Sequence, residues 1–415
     1  MTDIKIVDAI CGSGKTTWVF EHMRQHPDRK WVFVSPYLDE AGDGNSKGRI
    51  QKELPELSFR SPATTPSKTA DFLRLAQKGR NIAITHKLFT GFTPEVAEVL
   101  REQEYHLVID ETIDLVQFYD DINSQDVKFL ILAGMVKCDP KTGMLEWNSE
   151  KWPNYTGRDI KIKQLCEMDC LWLYGDDVLI QRIPPTCMKA CKTVTILTYL
   201  FEASLMHCWM QLNSMPWEYY QPESMRTNKQ IKDIIRPLLT LTQPTKLITD
   251  LQRSSQGLYV TNIFKKGWYD SIATEDDFHA IKKSIEVTLK KDMGKGEVFW
   301  TTFKDYEPKL QGIGYTRAKK VNGELRKPFV SKNMRASNEY RDCVNCIYTV
   351  NIYPHGSLNN HLISYGVVLD QELYALSELI QFIFRGSIRD HRPMHLYILS
   401  DRMRRLFTEW LNTDK

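Results

Sequence analysis

Along the first two hundred residues, short apolar runs alternate with stretches of helical spacing. That alternation is the signature of a parallel sheet with helices on both faces. The runs are Ile4, Ile6 and Val7; "KWVFVSPY" (30–37); "NIAITHKLF" (81–89); "YHLVIDET" (105–112); and "KTVTILTYLF" (192–201). The strands end in polar tips, among them Ser35-Pro36, Thr85-His86 and Asp110-Glu111. Open α/β sheets bind their ligands at that carboxyl edge.

Between Ile113 and Pro185 the pattern is interrupted by an insertion with its own hairpin signals, "CDPKTGMLEW" and "LWLYGDDVLI". Residues from about 205 to 280 are mixed and turn-rich and read as a connector. A second α/β unit then follows: a helix from about 276, the strand "GEVFWTTF" (296–303), and strands through "NCIYTVNIY". The amphipathic run "QELYALSELIQFIFRGSIRD" (371–390), the strand "HLYILS" and a final helix complete it. There is no internal repeat and no low-complexity tail.

Length and composition narrow the class. A chain of 415 residues has room for two cores, and 42% hydrophobic with 26% charged residues is ordinary globular composition. No apolar run reaches the roughly 18 residues that a membrane span needs. The N-terminus runs straight into a glycine-rich loop with no signal peptide, so a cytoplasmic setting is expected. A net charge of +3 means that any nucleic-acid surface must be local. The nine cysteines suit a reducing compartment. The pairs Cys166/Cys170, Cys187/Cys191 and Cys343/Cys346 fall on helix and strand patterns, which favours buried small apolar residues over zinc ligands.

The chemistry begins in "IKIVDAICGSGKTTWVF". Ala9, four residues, then Gly14-Lys15-Thr16 fits the phosphate-loop spacing, with Ala9 in place of the first glycine. Gly12 and Gly14 let the backbone curl around Ser13 so that its N–H groups face a polyphosphate. The helix opening at Lys15, Thr16 and Thr17 adds its positive dipole end. Lys15 would neutralise the terminal phosphates, and Thr16 would hold Mg2+. Asp110, at the end of an apolar strand, can reach the same metal, and Glu111 can polarise an attacking water. In "QFIFRGSIRD", Gln381, Arg385 and Arg389 stand at i, i+4 and i+8, a spacing that predicts one polar helical face. Its arginines would supply positive charge to a transferring γ-phosphate.

A second cluster is the stretch 314–332, with Arg317, Lys319, Lys320, Arg326, Lys327 and Lys332 against Glu324. Asn322-Gly323 at its centre predicts a hairpin whose cations could track phosphates or wedge a duplex. Tyr219-Tyr220 and Trp268-Tyr269 could stack bases, although aromatic pairs more often pack a core.

The order of these segments resembles that of superfamily-two helicases of the DEAD/DEAH-like group, most closely phage-encoded members. "ICGSGKTT" resembles motif I, "VSPY" motif Ia, "ITH" a later first-domain motif and "IDET" motif II. "ILTYLF" lies where motif III belongs. "FWTTF" resembles motif IV, "NMRASNEYRD" motif V and "QFIFRGSIR" motif VI. The resemblance implies two RecA-like parallel-sheet domains, with ATP and Mg2+ bound by the first. It assigns 1–204 to the ATP-binding domain with the insertion at about 113–185, 205–280 to the connector, and 281–415 to the second domain. It implies nucleic acid as partner, DNA more than RNA, contacted through Ser35, Thr85, His86 and Arg335 as well as the basic hairpin. Thr198 would lie between the ATP and the strand. Replication or recombination proteins are possible further partners.

The sequence departs from that family at motif II, which reads Asp-Glu-Thr-Ile. It also lacks room for an upstream glutamine motif and carries Phe384 where a glycine usually precedes the arginine. Two other functions fit the motifs. One is a packaging-type ATPase with a nuclease domain, in which Asp370 could begin a metal cluster. The other is an ATP-switched clamp that binds nucleic acid without unwinding it.

Overall fold

The computed structural model describes residues 2–43, 46–175, 178–254, 263–321, 323–331 and 338–413. It bears out the α/β expectation. Strands β1 (Asp3–Asp8), β2 (Trp31–Ser35), β3 (Ile82–Thr85) and β4 (His106–Asp110) come first. An excursion carries β5 (Val116–Phe118), β6 (Val136–Cys138), β7 (Leu145–Trp147), β8 (Leu171–Tyr174) and β9 (Val178–Arg182). The chain then returns through β10 (Thr193–Thr198) and β11 (Glu218–Tyr219). The resulting sheet has the order β11-β1-β10-β4-β2-β3, and every neighbouring pair is parallel. Its central strands are buried along their length, which is why their sequences read as unbroken apolar runs.

The second sheet draws on β12 (Leu239–Leu241), β13 (Val298–Thr301), β16 (Asn345–Tyr348) and β17 (Met394–Ile398), while β14 (Lys319–Val321) and β15 (Glu324–Arg326) pair apart from it. Its order is β12-β17-β16-β13, again all parallel. By contacts the chain forms two compact units. One holds residues 1–8, 15–224 and 355–369; the other holds 9–14, 225–354 and 370–415.

The stretch 205–280 divides between them. The helix Leu205–Leu212 and β11 count with the first unit. The helices Asn228–Ile235, Lys246–Ser254 and Lys266–Ser271 count with the second, where Ile248, Phe264, Trp268 and Tyr269 share a core with Trp300, Ile347 and Tyr397. Trp268 and Tyr269 are therefore buried packing residues and have no face for a base.

The excursion has a core of its own, in which Tyr119, Val127, Leu165, Leu171 and Leu179 pack together. Its hairpins form as expected, β6 with β7 and β8 with β9. The register of β5-β9-β8 puts Phe118, Trp172, Tyr174 and Arg182 on the face opposite Leu171 and Leu179. That second face receives residues 355–365, which nothing in the sequence pattern indicates. His355 meets Phe118 edge-on at 4.5 Å, and His361 meets Trp172 and Tyr174. The Arg182 guanidinium lies 3.7 Å from the Tyr365 ring and 4.3 Å from Trp172. It donates to His361 Nε2 at 2.8 and 3.1 Å. In the second unit, Arg402 binds both sides of this departure, donating to the carbonyls of Ile352 (2.8 Å) and Gln371 (3.0 Å).

One expected element ends early. The helix that begins at Gln371 stops at Ile383, and Arg389 lies in a separate turn, Ser387–Asp390. Gln381, Arg385 and Arg389 therefore do not share a helical face. The cause is tertiary: a Cβ on Gly386 would stand 2.8 Å from both Phe299 and Met394 and 3.0 Å from the Cys343 carbonyl. Only glycine fits this close approach, and the backbone there is extended, not helical.

Candidate nucleotide site

β1 delivers the chain into the loop Ala9–Gly14, and the next helix begins on Lys15. Gly12 (φ 84°) and Gly14 (φ 96°) take the left-handed conformation that the spacing required of them. The Ser13 N–H closes the turn on the Ile10 carbonyl at 3.1 Å. Lys15 and Ser13 are only 7% and 6% exposed, and the Ser13 hydroxyl has no hydrogen-bond partner among the described residues. Ala9 is buried, Thr16 is half-buried and Thr17 is exposed on the first turn. A buried lysine and an unsatisfied hydroxyl at a helix N-terminus suit an anion such as a polyphosphate. Residues 9–14 count with the second unit. There the Ile10 N–H donates to Asn228 Oδ1 at 2.9 Å, and the Arg389 carbonyl oxygen lies 3.5 Å from where a Gly12 Cβ would stand.

In the first unit, Asp110 closes β4 and Glu111 follows at φ 65°, a strained value for a residue with a Cβ. The Glu111 N–H donates to the Leu197 carbonyl at 2.8 Å, which fixes the turn. Burial pushes the Asp110 carboxyl up to about 7; repulsion from Glu111 and Glu40 adds to this, while Lys15 and Arg49 oppose it. The Lys15 charge therefore acts on the Asp110 carboxyl. Among the described residues, no group of three or more His, Cys, Asp or Glu could hold a metal ion.

Three residues that neighbour Lys15 and Asp110 escaped the sequence. The Asp8 carboxylate accepts from the N–H groups of Leu200 and Phe201, both at 2.8 Å. Burial raises its pKa, while those two amides and Lys15 pull it down. Glu40 adds a third carboxylate near Asp110, and Arg49 stands 3.6 Å from Glu40. No spacing rule marks them, because Asp8 ends β1 while Glu40 and Arg49 lie on separate short helices, Leu38–Ala41 and Arg49–Glu53.

The remaining candidates are scattered. Ser35 is fully buried and accepts from the Tyr37 N–H at 3.4 Å, while Thr85 is half-buried at the end of β3. The buried His86 ring sits with Nε2 2.9 Å from the Asp110 carbonyl, so it braces the acidic turn and offers no surface. Thr198 is buried opposite Asp8. Gln381 donates to Ser377 at 3.3 Å, and Arg385 is buried beside the Phe382 ring. Asp370 is engaged as a helix cap, accepting from the N–H groups of Glu372 and Leu373. The six paired cysteines are buried.

The basic hairpin forms, with Lys319 opposite Arg326. Lys319, Lys320 and Lys327 are exposed, though Lys319 pairs with Glu297 at 2.8 Å. Arg326 departs from the phosphate-tracking expectation. It is 6% exposed, grips Asp342 with both terminal nitrogens (2.5 and 3.0 Å) and donates to the Glu339 carbonyl at 2.7 Å. Asp342, later in the chain, and Glu297, 3.6 Å away and earlier in it, consume its charge. Arg335, Asn322 and Lys332 lie outside the described residues.

The solved structure of Xpd4 from S. tokodaii aligns over 100% of this chain and 95% of its own, with a TM-score of 0.53 at 14% identity. The chain shares the fold of that structure. The expected resemblance therefore holds at the level of the fold. Residues 235–411 match the family described as the YonV C-terminal Rossmann-like domain, and 116–181, within the excursion, match the YonV middle domain. The SPbeta prophage-derived uncharacterized protein YonV of Bacillus subtilis (strain 168) is 27% identical over 441 residues, spanning the whole of both chains. Among the described residues, no helix is long and apolar enough to cross a membrane.

Proposed function

We propose that the chain is an ATP-driven helicase-type enzyme that moves on nucleic acid, DNA in preference to RNA. The observation that carries this reading is the buried Lys15 acting on Asp110 behind a phosphate loop with an unsatisfied Ser13 hydroxyl. Lys15 would neutralise the terminal phosphates of ATP. The loop from Ala9 to Gly14 and the first turn at Thr16 and Thr17 would bind the rest of the polyphosphate. Thr16 and Asp110 would hold Mg2+, whose charge favours the ionised form of Asp110 that burial opposes. Glu111 would orient the attacking water and accept its proton.

Arg385 and Arg389 would supply positive charge to the transferring phosphoryl group, with Gln381 nearby in the sequence. Support comes from the Arg389 carbonyl beside Gly12, which brings the Ser387–Asp390 turn to the loop without a shared helical face. Lys319, Lys320 and Lys327 would follow the phosphates of the bound strand. Residues 1–204 with their insertion and 281–415 would be the two motor domains. The Bacillus relative is prophage-derived, which supports a role in phage replication or recombination in a host cytoplasm.

The test is ATP hydrolysis with and without single-stranded DNA, duplex DNA and RNA, in the wild type and in Lys15→Ala. Stimulation by nucleic acid that is lost in Lys15→Ala is expected. Hydrolysis equal in both proteins would refute the site. Strand displacement in the same samples separates an unwinding enzyme from a clamp.

A further inference from the structure

The exits of neighbouring strands in the first sheet are tied to one another. The Glu111 N–H ties the end of β4 to β10 through the Leu197 carbonyl. The two carboxylate oxygens of Asp8 tie the end of β10 to β1, each accepting one amide, from Leu200 and from Phe201. His86 joins β3 to the series through the Asp110 carbonyl. Two of the linked residues are left-handed without being glycine, Glu111 at φ 65° and Leu200 at φ 55°. Such conformations persist only when their surroundings hold them.

Asp8 occupies a telling place in this series. It is the last residue before the phosphate loop, Lys15 is the first after it, and the Lys15 charge acts on the Asp8 carboxylate. We propose that Asp8 is a positioning residue that passes the occupancy of the phosphate loop to the turn Tyr199–Ala203 at the exit of β10. This rests on the reading of Lys15 as a phosphate ligand. When Lys15 is drawn to phosphate, its charge no longer competes for Asp8. The carboxylate then leans more heavily on the two amides, and the turn tightens. Glu111, bonded to Leu197 in the same strand, feels that tightening at the water-activating position.

Amide hydrogen exchange over 199–203 in the full chain, with and without the non-hydrolysable analogue AMP-PNP and Mg2+, reads this directly. Wild-type amides of Leu200 and Phe201 should be protected, and severalfold more so with the analogue. In Asp8→Asn they should exchange at least tenfold faster. Nucleic-acid-stimulated turnover should fall about tenfold, with the KM for ATP and basal turnover within threefold of wild type.

Adding Leu200→Gly to Asp8→Asn should restore most of the stimulation, because glycine adopts the turn without a tie. The double variant also carries the test if the single one folds poorly. A general structural role would lower basal and stimulated turnover together, and that result would overturn the proposal. So would amides unchanged by AMP-PNP in a chain that hydrolyses ATP. Protected amides in a chain that neither binds nor hydrolyses ATP would instead overturn the phosphate-loop reading together with the signalling role built on it, leaving Asp8 a structural tie.

Discussion

Replacing Arg326 by alanine separates the structural cation of the basic hairpin from its exposed ones. The side chain is 6% exposed and makes a two-pronged bond to Asp342, with a further bond to the Glu339 carbonyl. Hydrogen bonds to charged groups contribute about 1.5–3 kcal/mol net, and breaking a fully buried pair costs about 3–5 kcal/mol. Asp342 is 47% exposed, so water recovers part of the loss when its partner goes. We expect Arg326→Ala to destabilise the second unit by about 2 kcal/mol, a factor of roughly thirty in the folding equilibrium. Lys320→Ala and Lys327→Ala should stay within about 0.5 kcal/mol of wild type.

The pair also has a pH signature. Arg326 holds the Asp342 carboxyl below its usual range. Its stabilisation is therefore fully present above the unfolded carboxylate value of about 3.9 and is lost as pH falls through the lower folded value. Urea unfolding followed by tryptophan fluorescence, at neutral pH and at about pH 3, measures both effects. The salt dependence of single-strand binding should become shallower in Lys319, Lys320 and Lys327 variants and stay unchanged in Arg326→Ala. An Arg326→Ala protein as stable as wild type but with a shallower salt slope would refute the pairing argument and return Arg326 to the phosphate path.

Lys15→Ala should abolish binding of a fluorescent ATP analogue, whereas Glu111→Gln should bind it normally and hydrolyse ATP about a hundredfold or more slowly. Arg389→Ala should lower kcat for ATP far more than it weakens nucleotide affinity, as a group acting on the transition state does; equal losses in both would point to ground-state binding. His361, held neutral with its pKa lowered to about 4 by burial and by Arg182, should make the first unit lose stability as pH falls from about 6.5 toward 4, visible as an acid shift of the thermal midpoint that Arg182→Ala reduces. Gly386→Ala should cost about 1–3 kcal/mol by forcing a methyl group onto Phe299 and Met394, read by urea unfolding.

The long apolar strands and the phosphate loop were legible because their signals are local: an unbroken run for a strand covered on both faces, and fixed spacing for a loop that must curl. β12 was not, since three residues at a sheet edge leave no periodic trace and acquire their conformation from β17. The end of the helix at Ile383 was hidden for a related reason. Glycine at 386 looks tolerable in a helix until Phe299, Met394 and Cys343 crowd it from other elements. Charge was the least legible property. Arg326 and Lys327 are equivalent in the sequence, and only Asp342, sixteen positions beyond Arg326, shows which of them is already neutralised. Asp8 likewise gains its role from a turn one hundred and ninety-two residues away.

The return of residues 355–369 to the first unit has a consequence for how such a gene can be divided. A single cut at 224/225 would yield an amino-terminal product whose excursion sheet has lost the cover of His355, His361 and Tyr365, leaving Trp172 and Phe118 bare to the solvent. Its carboxy-terminal partner would carry that cover with nothing to place it on. Exchange between related genes meets the same constraint. A crossover between 225 and 354 pairs one parent's excursion with the other parent's helix Gly356–Ser364, and Arg182 then faces an unfamiliar acceptor. Viable hybrids would therefore swap residues 116–182 and 355–369 as a set.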